Sequence, residues 1–181
     1  MFSKLDIQHQ IPLEPYGDIY TQFGINTPNG FSGIAYHHIS SDIQDQIFNT
    51  CPWAPRSAFN ALLMVINRMH IPPHNDDGIK VSINLYIDTA DAVTTFHRNK
   101  KSTAAGYMKL PNQTNGSIYN AEDLEPVAQF KAQSGEIYVL DVTSLHSVDC
   151  GTSNIRTAYV IQSPFFSYDQ TMESYKKYYD L

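Results

Sequence analysis

The chain has 181 residues and a mass of 20.5 kDa, enough to bury one sizeable core and too short to favour two, so a single domain over 1–181 is expected. Hydrophobic residues make up 42% and charged residues 17%, a globular balance that excludes a disordered chain. Lys and Arg number 12 against 18 Asp and Glu, for a formal charge of -6 and a pI of about 5.5; this sign weighs against nucleic acid as a partner.

Met1 to Leu13 holds no apolar core of signal-peptide length, and the longest apolar run, Ala61 to Ile66, is far below a membrane span. The expectation is a soluble, cytoplasmic protein with no membrane partner. Residues 1 to 40 carry Pro12, Pro15, Gly17, Gly24, Pro28, Gly30 and Gly33, a punctuation that suits loops and short strands. Ser41 and Gln44 then fit a capping box, with Ile43, Ile47 and Phe48 at helical spacing, which predicts a helix over about 41–50, ended by Pro52. From Ser57 to Met69 the continuous apolar run fits a helix or a buried strand. A strand over its second half is favoured, stopped by Ile71-Pro72-Pro73.

Val81, Ile83, Leu85 and Ile87 alternate with Ser82, Asn84, Tyr86 and Asp88, the period-2 signature of a strand with one apolar and one polar face. A short strand, Thr94 to His97, surrounds Phe96. Residues 99 to 125, with Lys100, Lys101, Gly106, Pro111, Asn112, Asn115 and Gly116, read as a long loop and a candidate lid. The one dense basic run, His97-Arg98-Asn99-Lys100-Lys101, reads as a solvated loop. Val127 to Lys131, a Ser134-Gly135 turn, Glu136 to Val142 and Ile155 to Ile161 follow as successive strands, and Thr171 to Tyr179 as a short helix. Many short strands and two marginal helices predict a mainly β sandwich or barrel. Cys51 and Cys150 are too few for a disulfide framework and lack C-x-x-C spacing, so both are expected as free thiols.

His74-Asn75-Asp76 sits just before the strand at 81, and in an extended backbone residues two apart face the same way. An imidazole and a carboxylate can then converge on one ion. His146, placed at the end of the Glu136 to Val142 strand, is the best candidate for a further ligand, and two His with one carboxylate leave adjacent positions open on an octahedral ion. Arg156 lies in the last apolar strand, where a guanidinium, unable to shed its charge, needs an anionic partner. Taken singly, each has a bland alternative: Asp76 capping the Asp77-Gly78 turn, His146 a half-buried histidine, Arg156 a surface ion pair. Their joint order favours the metal site. His70 is set aside because Pro72 and Pro73 break the helix that would pair it with His74. His9 and His37-His38 have no partner pattern, the acidic run Glu122, Asp123 and Glu125 suits a solvated turn, and Cys150 suits packing.

H-x-D, a distal His and an Arg ten residues later, together with Gly135-Glu136-Ile137-Tyr138-Val139-Leu140-Asp141 leading into Leu145-His146-Ser147-Val148, resemble the 2-oxoglutarate and Fe(II)-dependent dioxygenase superfamily over about residues 60 to 165. The resemblance implies a double-stranded β-helix, a jelly-roll or cupin-like barrel with a core at about 60–165 and helical decoration from the N-terminal part. It implies Fe(II) held by His74, Asp76 and His146, and 2-oxoglutarate bound through Arg156, with Asn84 and Tyr86 similar to strand residues that help hold this cosubstrate. The implied reaction consumes O2 and 2-oxoglutarate, releases succinate and CO2, and hydroxylates a peptide side chain or small molecule. Ala158 stands where some branches have Ser or Thr, and Gln162 where base-repair oxygenases have a second arginine, a departure that weighs against that branch. Two other classes compete: a cupin-like metalloprotein without 2-oxoglutarate chemistry, against which Arg156 argues, and a non-catalytic β-sandwich interaction module with no metal.

Overall fold

A computed structural model of the chain describes residues 1–27, 30–67, 70–89, 91–100, 104–108, 115–150 and 155–181. The elements run β1 (Phe2–Gln8), β2 (Ile19–Thr27), β3 (Gly30–His37), α1 (Ser41–Thr50), β4 (Asn60–Asn67), β5 (His70–Asp77), β6 (Val81–Asp88), β7 (Val93–Asn99), β8 (Gly106–Met108) and β9 (Asn115–Ile118). A 3-10 turn (Ala121–Asp123), β10 (Leu124–Lys131), β11 (Glu136–Leu140), β12 (His146–Asp149), β13 (Ile155–Ser163) and α2 (Tyr168–Tyr178) follow. The chain is mainly β. Its described strands form two antiparallel sheets, one ordered β1-β11-β6-β13-β4-β3-β2 and the other β10-β7-β12-β5-β9-β8.

The first sheet is apolar on both faces. On β4, Leu63 and Val65 join one buried cluster, while Leu62, Met64 and Ile66 join another. A strand covered on both sides reads as a continuous apolar run, which is why 61–66 lacks periodicity. The outer cluster lies under α1 and α2, where Ile43, Ile47 and Tyr175 pack with Trp53. The inner cluster fills the space between the sheets. On β6 the expected alternation holds: Val81, Ile83 and Leu85 face outward under the helices, and Ser82, Asn84 and Tyr86 line a cavity between the sheets.

Several expectations are corrected. The helix at 41–50 forms, but its N-cap is Ser40, whose hydroxyl accepts from Ile43 N at 3.3 Å, while Gln44 donates its amide to Ile39 O. Residues 1 to 40, expected as loops and short strands, hold three strands of seven, nine and eight residues, which extend the first sheet beyond the expected 60–165 core. Pro72 and Pro73 do not stop a strand. They lie inside β5, whose pairing with β12 shifts register between the His146/His74 and Val148/Ile71 partners. This irregularity accommodates residues that cannot donate to a ladder. The 99–125 segment is not one long loop, since β8, β9 and the start of β10 fall within it; Lys101, Pro111 and Asn112 lie outside the described residues. Gly135, at φ 85°, makes the turn into β11 that an L side chain would strain. Both cysteines are free and buried. No helix among the described residues is long and apolar enough to cross a membrane.

Candidate metal centre

His74 and Asp76 come from β5 and His146 from the neighbouring β12, where His146 pairs directly with His74. This corrects the sequence-based placement on two counts: His74-Asn75-Asp76 lies within a strand, and His146 opens a strand of its own in the opposite sheet from β11. The crossing between sheets is a turn built on Asp141. Its carboxylate accepts from Thr143 N at 3.2 Å, Thr143 Oγ1 at 2.6 Å and Ser144 Oγ at 2.6 Å. Asp76 is seated on the same turn, its backbone N–H donating to Val142 O at 2.9 Å.

One ligand atom from each of His74, Asp76 and His146 lies within 4.8 Å of the others, and His74 Nε2 is 3.7 Å from Asp76 Oδ1. Both rings are oriented from behind. Nδ1 of His74 is 2.7 Å from Pro72 O and Nδ1 of His146 is 3.0 Å from Ser144 O, so Nδ1–H donates to each carbonyl and Nε2 presents its lone pair. Phe96 stacks on the His146 ring at 5.7 Å between centroids. Burial, and then the neighbouring His74, push the His146 imidazole down to about 3, which keeps it proton-free at neutral pH. Burial raises the Asp76 carboxyl, against an opposing pull from His74, so this acid gains from a cation beside it. Two imidazoles and a carboxylate on one side of a point fit a divalent transition metal with open positions.

The triad opens into a cavity of about 50 Å³, whose lining also includes Arg156, Thr94, Tyr86, Asn84, Ser82 and Gln162. Arg156 is 1% exposed. One of its terminal nitrogens donates to Thr94 Oγ1 at 3.0 Å, its guanidinium carbon stands 4.6 Å over the Tyr86 ring, and its Nε has no hydrogen-bond partner. Among the described residues no carboxylate lies within ion-pair distance of it. A buried cation held, among the described residues, by a hydroxyl and a ring face is one carboxylate short of satisfaction. On β6, Ser82 donates to Asn84 Oδ1 at 2.7 Å and Asn84 donates to Tyr86 Oη at 3.2 Å, which leaves the Tyr86 proton for another acceptor.

All six residues singled out in the sequence thus line one cavity. Others were missed. Thr94, the hydroxyl partner of Arg156, shares the buried face of β7 with Phe96, two residues on, and that period-2 spacing was the available signal. His9, dismissed for want of a partner, places Nε2 2.9 Å from Tyr86 O, while Gly135 N donates to the same carbonyl at 2.8 Å. Nothing local to His9 announces this contact across 77 residues.

No family model matches the chain, and no curated protein does. Among solved structures, the X-ray structure of E. coli ycfD is similar over 84% of this chain, at 11% identity and a TM-score of 0.46. The chain spans 39% of that structure's length.

Proposed function

We propose that the chain is an Fe(II)- and 2-oxoglutarate-dependent dioxygenase that hydroxylates a peptide side chain or small molecule, built as a double-stranded β-helix. The observation that carries the reading is the buried guanidinium of Arg156, lacking an anionic partner, in the same cavity as two histidines and a carboxylate gathered within 4.8 Å. The fold reading is supported by the strand order. Around the cavity β4, β6, β11 and β13 of one sheet alternate along the chain with β5, β7, β10 and β12 of the other, apart from β7 and β10, which pair with each other, as in a jelly roll.

When bound, iron and 2-oxoglutarate supply the oxidation, the oxo acid losing CO2 to become succinate while substrate is hydroxylated. The chain's own part is binding and orientation. His74 and His146 present fixed Nε2 atoms and Asp76 a carboxylate oxygen. Arg156 takes the distal carboxylate of the cosubstrate, with Thr94 holding the guanidinium and Tyr86 beneath it. Thr94 pairs with Val148 while Phe96 pairs with His146, so the guanidinium's partner lies two residues, roughly 7 Å, along the sheet from the histidine row. An extended five-carbon dicarboxylate bridges such a separation.

The test is anaerobic reconstitution with Fe(II), calorimetric titration of 2-oxoglutarate, and then O2-dependent succinate release, with His146→Ala as control. Wild type is expected to bind both and release succinate, and the variant to lose metal. Metal binding without 2-oxoglutarate binding would transfer the chain to the cupin-like class. Binding of neither would leave a non-catalytic β-sandwich.

A further inference from the structure

Arg156 is 1% exposed, and the His74 and Asp76 side chains are 9% and 16% exposed. Two buried polar side chains stand in the same cavity as Asp76: Tyr36 from β3 and Gln162 from the far end of β13, joined by a hydrogen bond. Ser82 pairs with Gln162 across the β6–β13 ladder. The Tyr36 phenol carries a proton that it can donate.

Charge at the site is balanced without any of these groups. Among the described lining residues Asp76 and Arg156 are the only charged side chains. A divalent metal adds two positive charges to that cancelling pair, and a bound dicarboxylate removes them. A charged group entering beside the metal would then be desolvated with no counter-charge. An uncharged group meets a phenol that donates and an amide that both accepts and donates.

We propose that Tyr36 and Gln162 form the recognition subsite for the prime substrate, and that they accept a neutral carboxamide, of a side chain or a peptide bond, while excluding carboxylates and ammonium groups. The carboxamide oxygen accepts from Tyr36 Oη, and its N–H donates to the Gln162 amide oxygen. This inference rests on the oxygenase reading above and adds the substrate class to it.

The experiment uses the full chain loaded with Mn(II) and 2-oxoglutarate, and reads paramagnetic broadening of the methyl proton signals of propionamide, propionate and propylammonium, three probes that share a three-carbon chain. Propionamide is expected to bind at least about tenfold more tightly than either charged probe. Tyr36→Phe and Gln162→Leu are each expected to weaken propionamide about fivefold, the worth of one neutral hydrogen bond. The Mn(II) spin signal of each variant reports whether the triad is assembled, so a collapsed site is separated from a lost contact. Equal broadening by the three probes, a preference for a charged one, or propionamide binding unchanged in both variants would overturn the carboxamide subsite alone. Failure of the wild type to bind Mn(II) would take the oxygenase reading down with it.

Discussion

A guanidinium buried to 1% exposure with an orphaned Nε sets a standing cost on the ligand-free fold. Packing alone would have placed an aliphatic side chain there, because the surroundings include Ile66, Ile71 and Val148. Arg156→Met keeps similar volume and removes the charge. It is expected to stabilise the metal-free protein by about 1–4 kcal/mol in urea denaturation, while abolishing 2-oxoglutarate binding and leaving metal binding intact. A variant several kcal/mol less stable than wild type would mean that Arg156 is structural, and the carboxylate role would lose its support. The triad shows the complementary economy. With His146 pushed down to about 3, a metal arriving at neutral pH displaces no proton from it, and the rings need no reorientation because both Nδ1 atoms are already held by carbonyls.

Helix α1 provides a test of how its boundary is specified. Ser40 and Ser41 are adjacent, and the capping-box spacing to Gln44 selects Ser41, but it is Ser40 that has the extended backbone, φ -64° and ψ 158°, that aims its hydroxyl at the first turn. Ser40→Ala is expected to cost about 1 kcal/mol of folding free energy and Ser41→Ala under about 0.5 kcal/mol, both read from chemical denaturation. Equal losses would move the cap. The same distinction between pattern and placement runs through the fold. β6, β11 and β13 were legible because burial of each face leaves a record in residue order, and the cores of Val81–Asp88 and Ile155–Ser163 match it. β5 was not, since its prolines contradict a strand until the register shift against β12 is known. β12 was hidden as the tail of β11 because the Asp141 turn between them is held by side-chain contacts rather than by Gly or Pro. In the site, the spacing of His74, Asp76, His146 and Arg156 could be read directly. Thr94, Tyr36 and Gln162 could not be assigned to it, because their role arises from pairing between strands far apart in sequence.

At the scale of the molecule, the two ends of the cavity belong to different sheets. The three candidate metal ligands sit on adjacent strands β5 and β12 of the six-stranded sheet, whereas Arg156, Asn84 and Tyr86 sit on β13 and β6 of the seven-stranded one. Metal alone therefore ties together only strands that already share a ladder. A dicarboxylate held by both the metal and Arg156 clamps one sheet to the other, and binding to the folded state alone raises its stability by about 2.7 kcal/mol at a hundredfold excess over the dissociation constant. Hydrogen exchange resolves the two steps, because protection follows the elements that open together. Mn(II) alone is expected to slow exchange in β5 and β12. Adding 2-oxoglutarate is expected to extend protection to β6 and β13 in wild type, but not in Arg156→Met. Protection confined to the six-stranded sheet after 2-oxoglutarate is added would place the cosubstrate away from Arg156, and the clamp between the sheets would have to be abandoned even if the metal site stood.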